Sequence, residues 1–511
     1  MRSLRRYGRL VQDTIPAALA VAAERYGDRV WLRTDDGVLS FRGAKALVAR
    51  ATVALADAGV EPGDRVLMTA RTSPDYLLCW FATCALGAIA APCNPESTED
   101  ELRGLIAQVR PRLAVADPDT APLVTHAGAK DVVDVATVVG DWHEPPETPV
   151  ALPLEVEPSD VAVLIPTSGT TGRSKLVMQT HRAYAWAGEG FAWWMRLGPD
   201  DRLLTCLPLF HINAPAYSVM GSLACGAGLI LQPRFSASRF LDAARRHGAT
   251  EFNAIGAMLE ILMRQPERPD DGDTALRLVY TGPSPAREWQ EAFEQRFGLQ
   301  VVCGYAMSES PYGLIWPHGE RPFGTLGKPR QHPRLGEVNE ARVVDGELLL
   351  RNPVVTPGYW EMPEETAATV VGGWLHTGDL VTENQDGTYT FVSRKKEVLR
   401  RRGENLSPAE VEEAVAAHPD VLECAVVGVP SELTEDDVKA FVVATPGHDV
   451  DFEQLRAWTV ARISAFKVPR YWQLIDALPR TPTSRVAKHL LPIGHPDGEY
   501  DADSANQEEQ L

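Results

Sequence analysis

Up to about residue 315, short continuous apolar runs alternate with longer stretches whose apolar residues recur at helical spacing. Asp64–Ala70 (DRVLMTA), Gly87–Pro92 (GAIAAP) and Ala162–Ile165 (AVLI) read as buried strands. So do Arg202–Leu207, Gly228–Gln232, Leu276–Tyr280 and Leu299–Val302. Between them, Ser40–Ala58 reads as a helix entered at a serine and stopped by Gly59, Ser73–Leu86 as an apolar helix, and Ser97–Leu102 as an acidic helix start. Strands that are apolar throughout and separated by helices predict a parallel sheet covered on both faces. No self-similarity recurs at a period of about 20–50 residues, so a solenoid is not expected.

The pattern then changes. Between Gly324 and Arg394 short strands and turns dominate (ARVVDGELLLRN, GWLHTGDL, GTYTFVSR), predicting a β-rich subdomain over about 320–395. From Glu404 to Leu490 the pattern predicts an α+β unit: helices over Ser407–Ala417 and Phe452–Ala465, strands over Val421–Val429 and Val438–Thr445. The fold expected is therefore α/β, with a large N-terminal domain (1–395) of layered α/β subdomains plus the β-rich piece, and a small α+β C-terminal domain (396–492). Residues 493–511 are acidic and almost without apolar side chains, and are expected to be a disordered tail.

Composition narrows the function. With 511 residues and 44% hydrophobic side chains the chain can build a core without disulfides or structural metals. A net charge of −19 disfavours nucleic acid or an anionic membrane as partner. The basic run Arg394–Arg402 is either a solvated face or a local anion contact. Seven cysteines, an odd number without a CxxC pair, are expected to be buried free thiols in a reducing cytosol. The apolar stretch Ile15–Ala23 is too short for a secretory signal and runs into Glu24–Arg25, so an amphipathic first helix and a cytoplasmic location are expected. No run of 18 apolar residues occurs, hence no membrane span is expected. A homodimer is the default for oligomeric state.

The densest chemistry lies in Pro166-Thr-Ser-Gly-Thr-Thr-Gly-Arg-Ser-Lys175, directly after a buried strand. Gly169 and Gly172 let backbone N–H groups approach an anion, Ser168, Thr170 and Thr171 add hydroxyl donors, and Arg173 and Lys175 add charge. This is a phosphate loop physically, although it does not fit GxxxxGK[ST]. Neither GxSxG nor HExxH occurs.

Here the chain resembles the ANL superfamily of adenylating enzymes: acyl-CoA synthetases, peptide-synthetase adenylation domains and beetle luciferases. The resemblance spans roughly residues 10–492 and rests on the loop together with Tyr305-Ala-Met-Ser-Glu309, Gly373-Trp-Leu-His-Thr-Gly-Asp379, Ser393-Arg394-Lys-Lys396 and Arg402-Gly-Glu-Asn-Leu-Ser-Pro408, in the family's order. It implies AMP-forming activation of a small carboxylic acid with ATP and Mg²⁺, followed by thioester formation with coenzyme A. By the same resemblance Thr167, Ser168, Gly169, Thr170, Thr171, Gly172, Lys175 and Ser308 contact phosphates. Tyr305 stacks on adenine, Asp379 with Arg394 holds the ribose, and Glu309 with Thr167 holds Mg²⁺. His211 matches the gate between acid pocket and thiol tunnel. Asn213, Asn253, Gly282, Ser284, Met307 and Ser310 fall among segments expected to build the pocket. Lys396 stands at the hinge of a mobile C-terminal domain, Gly403, Glu404 and Asn405 line the coenzyme A tunnel, and Arg400–Arg402 are candidates for its phosphates.

The sequence departs from the family in places. Arg485 stands where the family has the adenylation lysine and Ser484 where it has glycine; Lys488 is the alternative cation. Ala306 replaces a glycine, Ser308 a threonine, and Leu176 a glycine after the loop lysine. These leave two other readings open: a different acceptor (a carrier-protein thiol, or an aryl amine attacking AMP-activated nitrite), and a nucleotide-binding protein without catalysis.

Overall fold

The computed structural model describes residues 13–147, 151–167, 174–282, 284–395, 399–401, 404–406, 408–431, 436–479, 486, 488–496 and 498–503. The chain divides into two compact units. One comprises Met1–Pro95, Val109–Pro166 and Leu176–Ser393; the other comprises Glu96–Gln108, Thr167–Lys175 and Arg394–Leu511.

Two large sheets organise the first unit. In the six-stranded sheet, Val132–Asp134, Leu113–Ala116, Arg65–Met68, Ile89–Pro92 and Val161–Thr167 run parallel, with Lys175–Thr180 at the edge. In the nine-stranded sheet, Gln300–Met307, Leu278–Thr281, Glu251–Asn253, Arg202–Thr205, Gly228–Leu231 and Val30–Arg33 form a parallel centre. Antiparallel Ser310–Ile315 and Val38–Ser40 flank it. The strands are apolar because helices cover them. Helix Phe41–Asp57 is capped by the Ser40 hydroxyl and Pro74–Ala85 by the Ser73 hydroxyl, each satisfying a backbone N–H of the first turn. A five-stranded sheet, built from Glu340–Val344, Glu347–Arg351, Val370–Val371, Trp374–Glu383 and Tyr389–Arg394, completes this unit with its own core around Leu348, Leu350 and Leu375.

The first helix, Ile15–Tyr26, is not amphipathic. Ile15 to Ala20, Ala22 and Ala23 are all buried, because alanines let neighbouring helices close in on most of its circumference. No described helix is long and apolar enough to cross a membrane.

In the second unit, antiparallel Val421–Pro430 and Asp436–Ala444 pair along their length, and Tyr471–Leu474 and Tyr500–Asp501 extend the sheet. Helices Pro408–Ala416 and Phe452–Val460 accompany it. The second helix stops well before Ala465. Ser464 instead gives its backbone N–H and hydroxyl to Glu101, which also pairs with Lys467 (2.8 Å).

The tail expected to be disordered from residue 493 is ordered through Asp503 apart from the undescribed residue 497. Composition misled there because Glu499 and Asp501 are drawn into ion pairs and are not fully solvated. Glu499 pairs with the fully buried amine of Lys439, which also donates to the Gly494 carbonyl (2.7 Å). Asp501 pairs with Arg470 (3.0 Å), and Tyr500 packs against Phe452.

All seven cysteines are free, as expected. Burial pushes the thiols of Cys79, Cys206, Cys225 and Cys303 up to about 12, and those of Cys84 and Cys424 further still.

Candidate functional site

The parallel strands of the nine-stranded sheet end together, and the chemistry-bearing residues of the first unit gather at those carboxyl ends, where open α/β sheets bind ligands. Strand Gln300–Met307 carries Tyr305 past the end of its neighbour and turns at Ser308–Glu309 into Ser310–Ile315. The two strands approach closely at Gly313: a β-carbon there would lie 2.1 Å from the Tyr305 carbonyl oxygen.

Tyr305 Oη donates to Asp379 Oδ2 at 2.6 Å, so the residues expected for adenine and ribose are already adjacent. Asp379 is buried and its turn is preset. Gly378 adopts φ +72°, a left-handed conformation suited to glycine, and donates its N–H to Glu347 Oε1 (2.9 Å). The Thr377 hydroxyl donates to the Leu348 carbonyl and accepts from the Asp379 N–H.

Glu309 is buried, and its Oε1 accepts from the Tyr359 hydroxyl at 2.8 Å. Burial, reinforced by the Glu309 charge, raises the Tyr359 hydroxyl far above its ordinary value, so it stays a donor. Tyr359 is positioned by backbone bonds between Met178 and Gly358 and between Trp360 and Leu176. The Glu309 carbonyl accepts from Thr356 N, and the buried Gln179 amide donates to the Ser308 carbonyl. Among the described residues no group of three or more His, Cys, Asp or Glu forms a metal cage. One oriented carboxylate suits Mg²⁺, which takes most of its ligands from phosphate and water.

The residues expected for the acid lie along the same strand ends. Asn253 Nδ2 donates to Asn213 Oδ1 at 2.8 Å. Asn213 opens a π-helix, Ala214–Val219, a geometry enriched at functional sites. Ser310 is buried and accepts from Asn352 Nδ2 (3.1 Å), and Met307 Sδ lies 3.9 Å from the Tyr305 hydroxyl oxygen. The Ser284 hydroxyl accepts from Gly324 N (3.2 Å). Gly282 has a packing reason: a β-carbon would meet the Gly304 carbonyl at 2.4 Å. The His211 ring lies 4.5 Å from that of Phe210, half-buried in the loop before the π-helix.

Sequence reasoning did not reach Tyr359, Gln179, Asn352, Glu347 or Arg330. Arg330 is wholly buried with no carboxylate partner among the described residues. It donates to the Leu314 carbonyl and to the hydroxyls of Tyr217 and Tyr280, and lies over the Trp194 ring (4.6 Å). Only the Pro-Gly-Tyr-Trp run at 357–360 carried a turn signal that could have flagged Tyr359.

In the second unit, Thr167 Oγ1 donates to the Lys175 carbonyl (3.2 Å), joining the two ends of the phosphate loop. Ser168, Gly169, Thr170, Thr171, Gly172, Lys396, Gly403 and Arg485 lie outside the described residues, as do the side chains of Arg394 and Asn405. The backbones of Glu404 and Asn405 pair with Arg401 and Arg400. Lys488 Nζ pairs with Glu412 Oε1 at 2.6 Å. Of the arginines expected to meet coenzyme A phosphates, Arg401 is spoken for. It is buried, donates to the Phe466 and Val468 carbonyls and pairs with Asp437 (3.3 Å), because it ties its strand to the unit's core.

Comparison with known proteins follows the same division. Residues 19–360 match the model for the AMP-binding enzyme family, and residues 410–485 that for the AMP-binding enzyme C-terminal domain. Crotonobetaine/carnitine–CoA ligase of Citrobacter koseri is 29% identical over 92% of this chain and 97% of its own length. The Escherichia coli ligase of the same name is 30% identical over 85% and 89%. Among solved structures, o-succinylbenzoate CoA synthetase from Bacillus subtilis, bound to a product analogue, superposes with a TM-score of 0.82 at 24% identity, covering 93% of this chain and 98% of its own. An amide bond synthetase from Marinactinospora thermotolerans gives 0.80 at 24%, covering 92% and 98%. These two likenesses concern the fold.

Proposed function

Because the chain belongs to the AMP-binding enzyme family, the adenylating superfamily its motifs resemble, we propose that it is an acid–CoA ligase. In the first half-reaction a carboxylate oxygen of a small acid bonds to the α-phosphorus of ATP and the bond to pyrophosphate breaks. In the second, the coenzyme A thiol loses its proton, sulfur bonds to the acyl carbon, and AMP leaves. A free carboxylate would have to expel oxide; AMP is a far better leaving group. The chemistry therefore asks for electrostatic positioning more than for acid–base catalysis.

The observation that carries this reading is the Tyr305–Asp379 hydrogen bond, with Glu309 four residues along the same hairpin. Tyr305 offers a ring face to adenine, and Asp379 has acceptor capacity left for the ribose hydroxyls. Glu309, oriented by Tyr359, is the proposed Mg²⁺ carboxylate. When bound, that ion neutralises pyrophosphate as it departs. Thr167 and Lys175, with the loop between them, are the proposed phosphate contacts, and Arg485 supplies the charge that the family takes from lysine. His211, Asn213, Asn253, Ser284 and Ser310 are proposed for the acid side, Glu404 and Asn405 for coenzyme A, and Lys396 for the hinge.

The test is pyrophosphate release across a panel of acids, with and without coenzyme A, while free thiol is followed. Acid-dependent release that turns over only with coenzyme A and consumes thiol is expected. Release that leaves coenzyme A intact and needs an amine or a carrier protein would reassign the acceptor. ATP binding with no release for any acid would overturn the enzymatic reading.

A further inference from the structure

At the strand ends that carry the proposed acid site, two neighbouring buried polar atoms, Asn253 Oδ1 and Thr205 Oγ1, have no hydrogen-bond partner among the described residues; Thr281 Oγ1, at the end of the next strand and one residue on from Tyr280, is a third. Asn253 and Thr205 are wholly shielded from solvent. The pairing of Phe252 with Leu204 places Asn253 beside Thr205 on the same face of the sheet. That face looks toward the π-helix. Asn253 bonds Asn213 at the helix entry, and Tyr280, the register partner of Asn253 on its other side, packs its ring 5.5 Å from that of Tyr217 within the helix.

An unpaired amide oxygen buried in protein costs about 1–3 kcal/mol, and a hydroxyl somewhat less. Two of them side by side, next to the buried apolar side chains of Leu203, Leu204 and Phe252, are hard to explain as packing. Leucine and valine of similar volume would fill the space without that cost. Asn253 gives one of its two amide N–H groups to Asn213, and its oxygen stands as an acceptor with no donor among the described residues. Thr205 offers an acceptor and one rotatable donor.

Resting on the acid–CoA ligase reading, we propose that Asn253 and Thr205 recognise a hydrogen-bond-donating substituent of the acid, a hydroxyl or an amine borne on its chain away from the carboxyl group. The substrate class is thus a short hydroxy- or amino-acid, not a plain alkanoate. A site built to bond such a group discriminates strongly against the analogue that lacks it, because two protein atoms are then left unpaired.

The experiment measures acid-dependent pyrophosphate release for matched short straight-chain acids, unsubstituted, hydroxylated and aminated, in the wild type and in Thr205→Val and Asn253→Leu. The wild type is expected to favour a substituted acid by about a hundredfold or more in kcat/KM. Thr205→Val, nearly isosteric, should erase most of that preference, lowering kcat/KM for the substituted acid far more than for the unsubstituted one. Thermal melts show whether Asn253→Leu folds; if it does not, Thr205→Val decides alone. Equal wild-type use of substituted and plain acids would overturn the inference and leave the ligase reading standing. A uniform fall for every acid in Thr205→Val would do the same, marking the pair as holders of structural water. No release with any acid would overturn both.

Discussion

The hydroxyl of Tyr305 lies 2.6 Å from Asp379 Oδ2, joining residues 74 positions apart. The ring proposed to carry adenine thus also fixes the carboxylate proposed to carry ribose. Tyr305→Phe keeps the ring and removes the bond to the carboxylate. A hydrogen bond to a charged group contributes about 1.5–3 kcal/mol, so a rise of about tenfold or more in KM for ATP is expected, with a smaller change in kcat. Tyr305→Ala should lose the stacking as well. Initial rates at varied ATP separate the two.

Glu309 and Tyr359 form a second pair, at 2.8 Å. Glu309→Gln removes the charge proposed for Mg²⁺ and should lower pyrophosphate release by about two orders of magnitude or more. Tyr359→Phe leaves the charge but frees its orientation. It is expected to raise the Mg²⁺ concentration for half-maximal rate several-fold with a modest loss of maximal rate. Mg²⁺ titrations of both variants check this.

Lys488 and Arg485 compete for the role of the family's adenylation lysine. The Lys488 amine is engaged by Glu412 on the same unit. Lys488→Ala should therefore cost about 1 kcal/mol of stability and spare adenylation, whereas Arg485→Ala should slow adenylation about a hundredfold or more. Single-turnover pyrophosphate release beside urea melts tells them apart; the reverse pattern would assign the work to Lys488.

Glu251 sets a pH dependence unrelated to catalysis. It is wholly buried, and neither carboxyl oxygen has a hydrogen-bond partner among the described residues. Burial, with the nearby Asp201 charge adding and Arg277 opposing, holds its carboxyl well above the ordinary carboxylate range. The folded chain keeps the proton that the unfolded chain releases. The stability this provides is complete below the unfolded pKa and is lost as pH rises toward the folded one, at about 1.4 kcal/mol per pH unit within that window. Glu251→Gln should flatten the alkaline side of the stability profile, measured by urea unfolding over a pH series.

The ordered tail gives a fifth test. Lys439→Met leaves buried Glu499 with only the half-exposed His495 beside it (2.6 Å), and a loss of about 3 kcal/mol is expected. Hydrogen exchange should place that loss in the strands of the second unit.

Legibility in the sequence followed the range of the interactions. The strands over 65–68, 89–92 and 228–231 and the helices over 41–57 and 74–85 show in apolar runs and serine caps, because those signals are local. Tyr305, Glu309 and Asp379 stand in short motifs. Tyr359 and Gln179 do not, since their bonds to Glu309 and Ser308 span 50 and 129 residues, and the turn signal at 357–360 marks a bend and not its distant partner. Arg330 is further from reach: an arginine in a polar run reads as solvated, and only assembly of Tyr217, Tyr280 and Trp194 around it makes a buried site. The tail failed for the same reason, its acids being matched by Lys439 and Arg470, which come far earlier in the chain.

The protonated state of the native thiols has a practical use. A maleimide dye reacts with thiolate, and among the six cysteines whose values burial raises almost none forms near neutral pH. Cysteines introduced at exposed Val38 and Leu422 would accept a donor and acceptor fluorophore with these six native thiols left in place, so the hinge proposed at Lys396 can be tested by energy transfer.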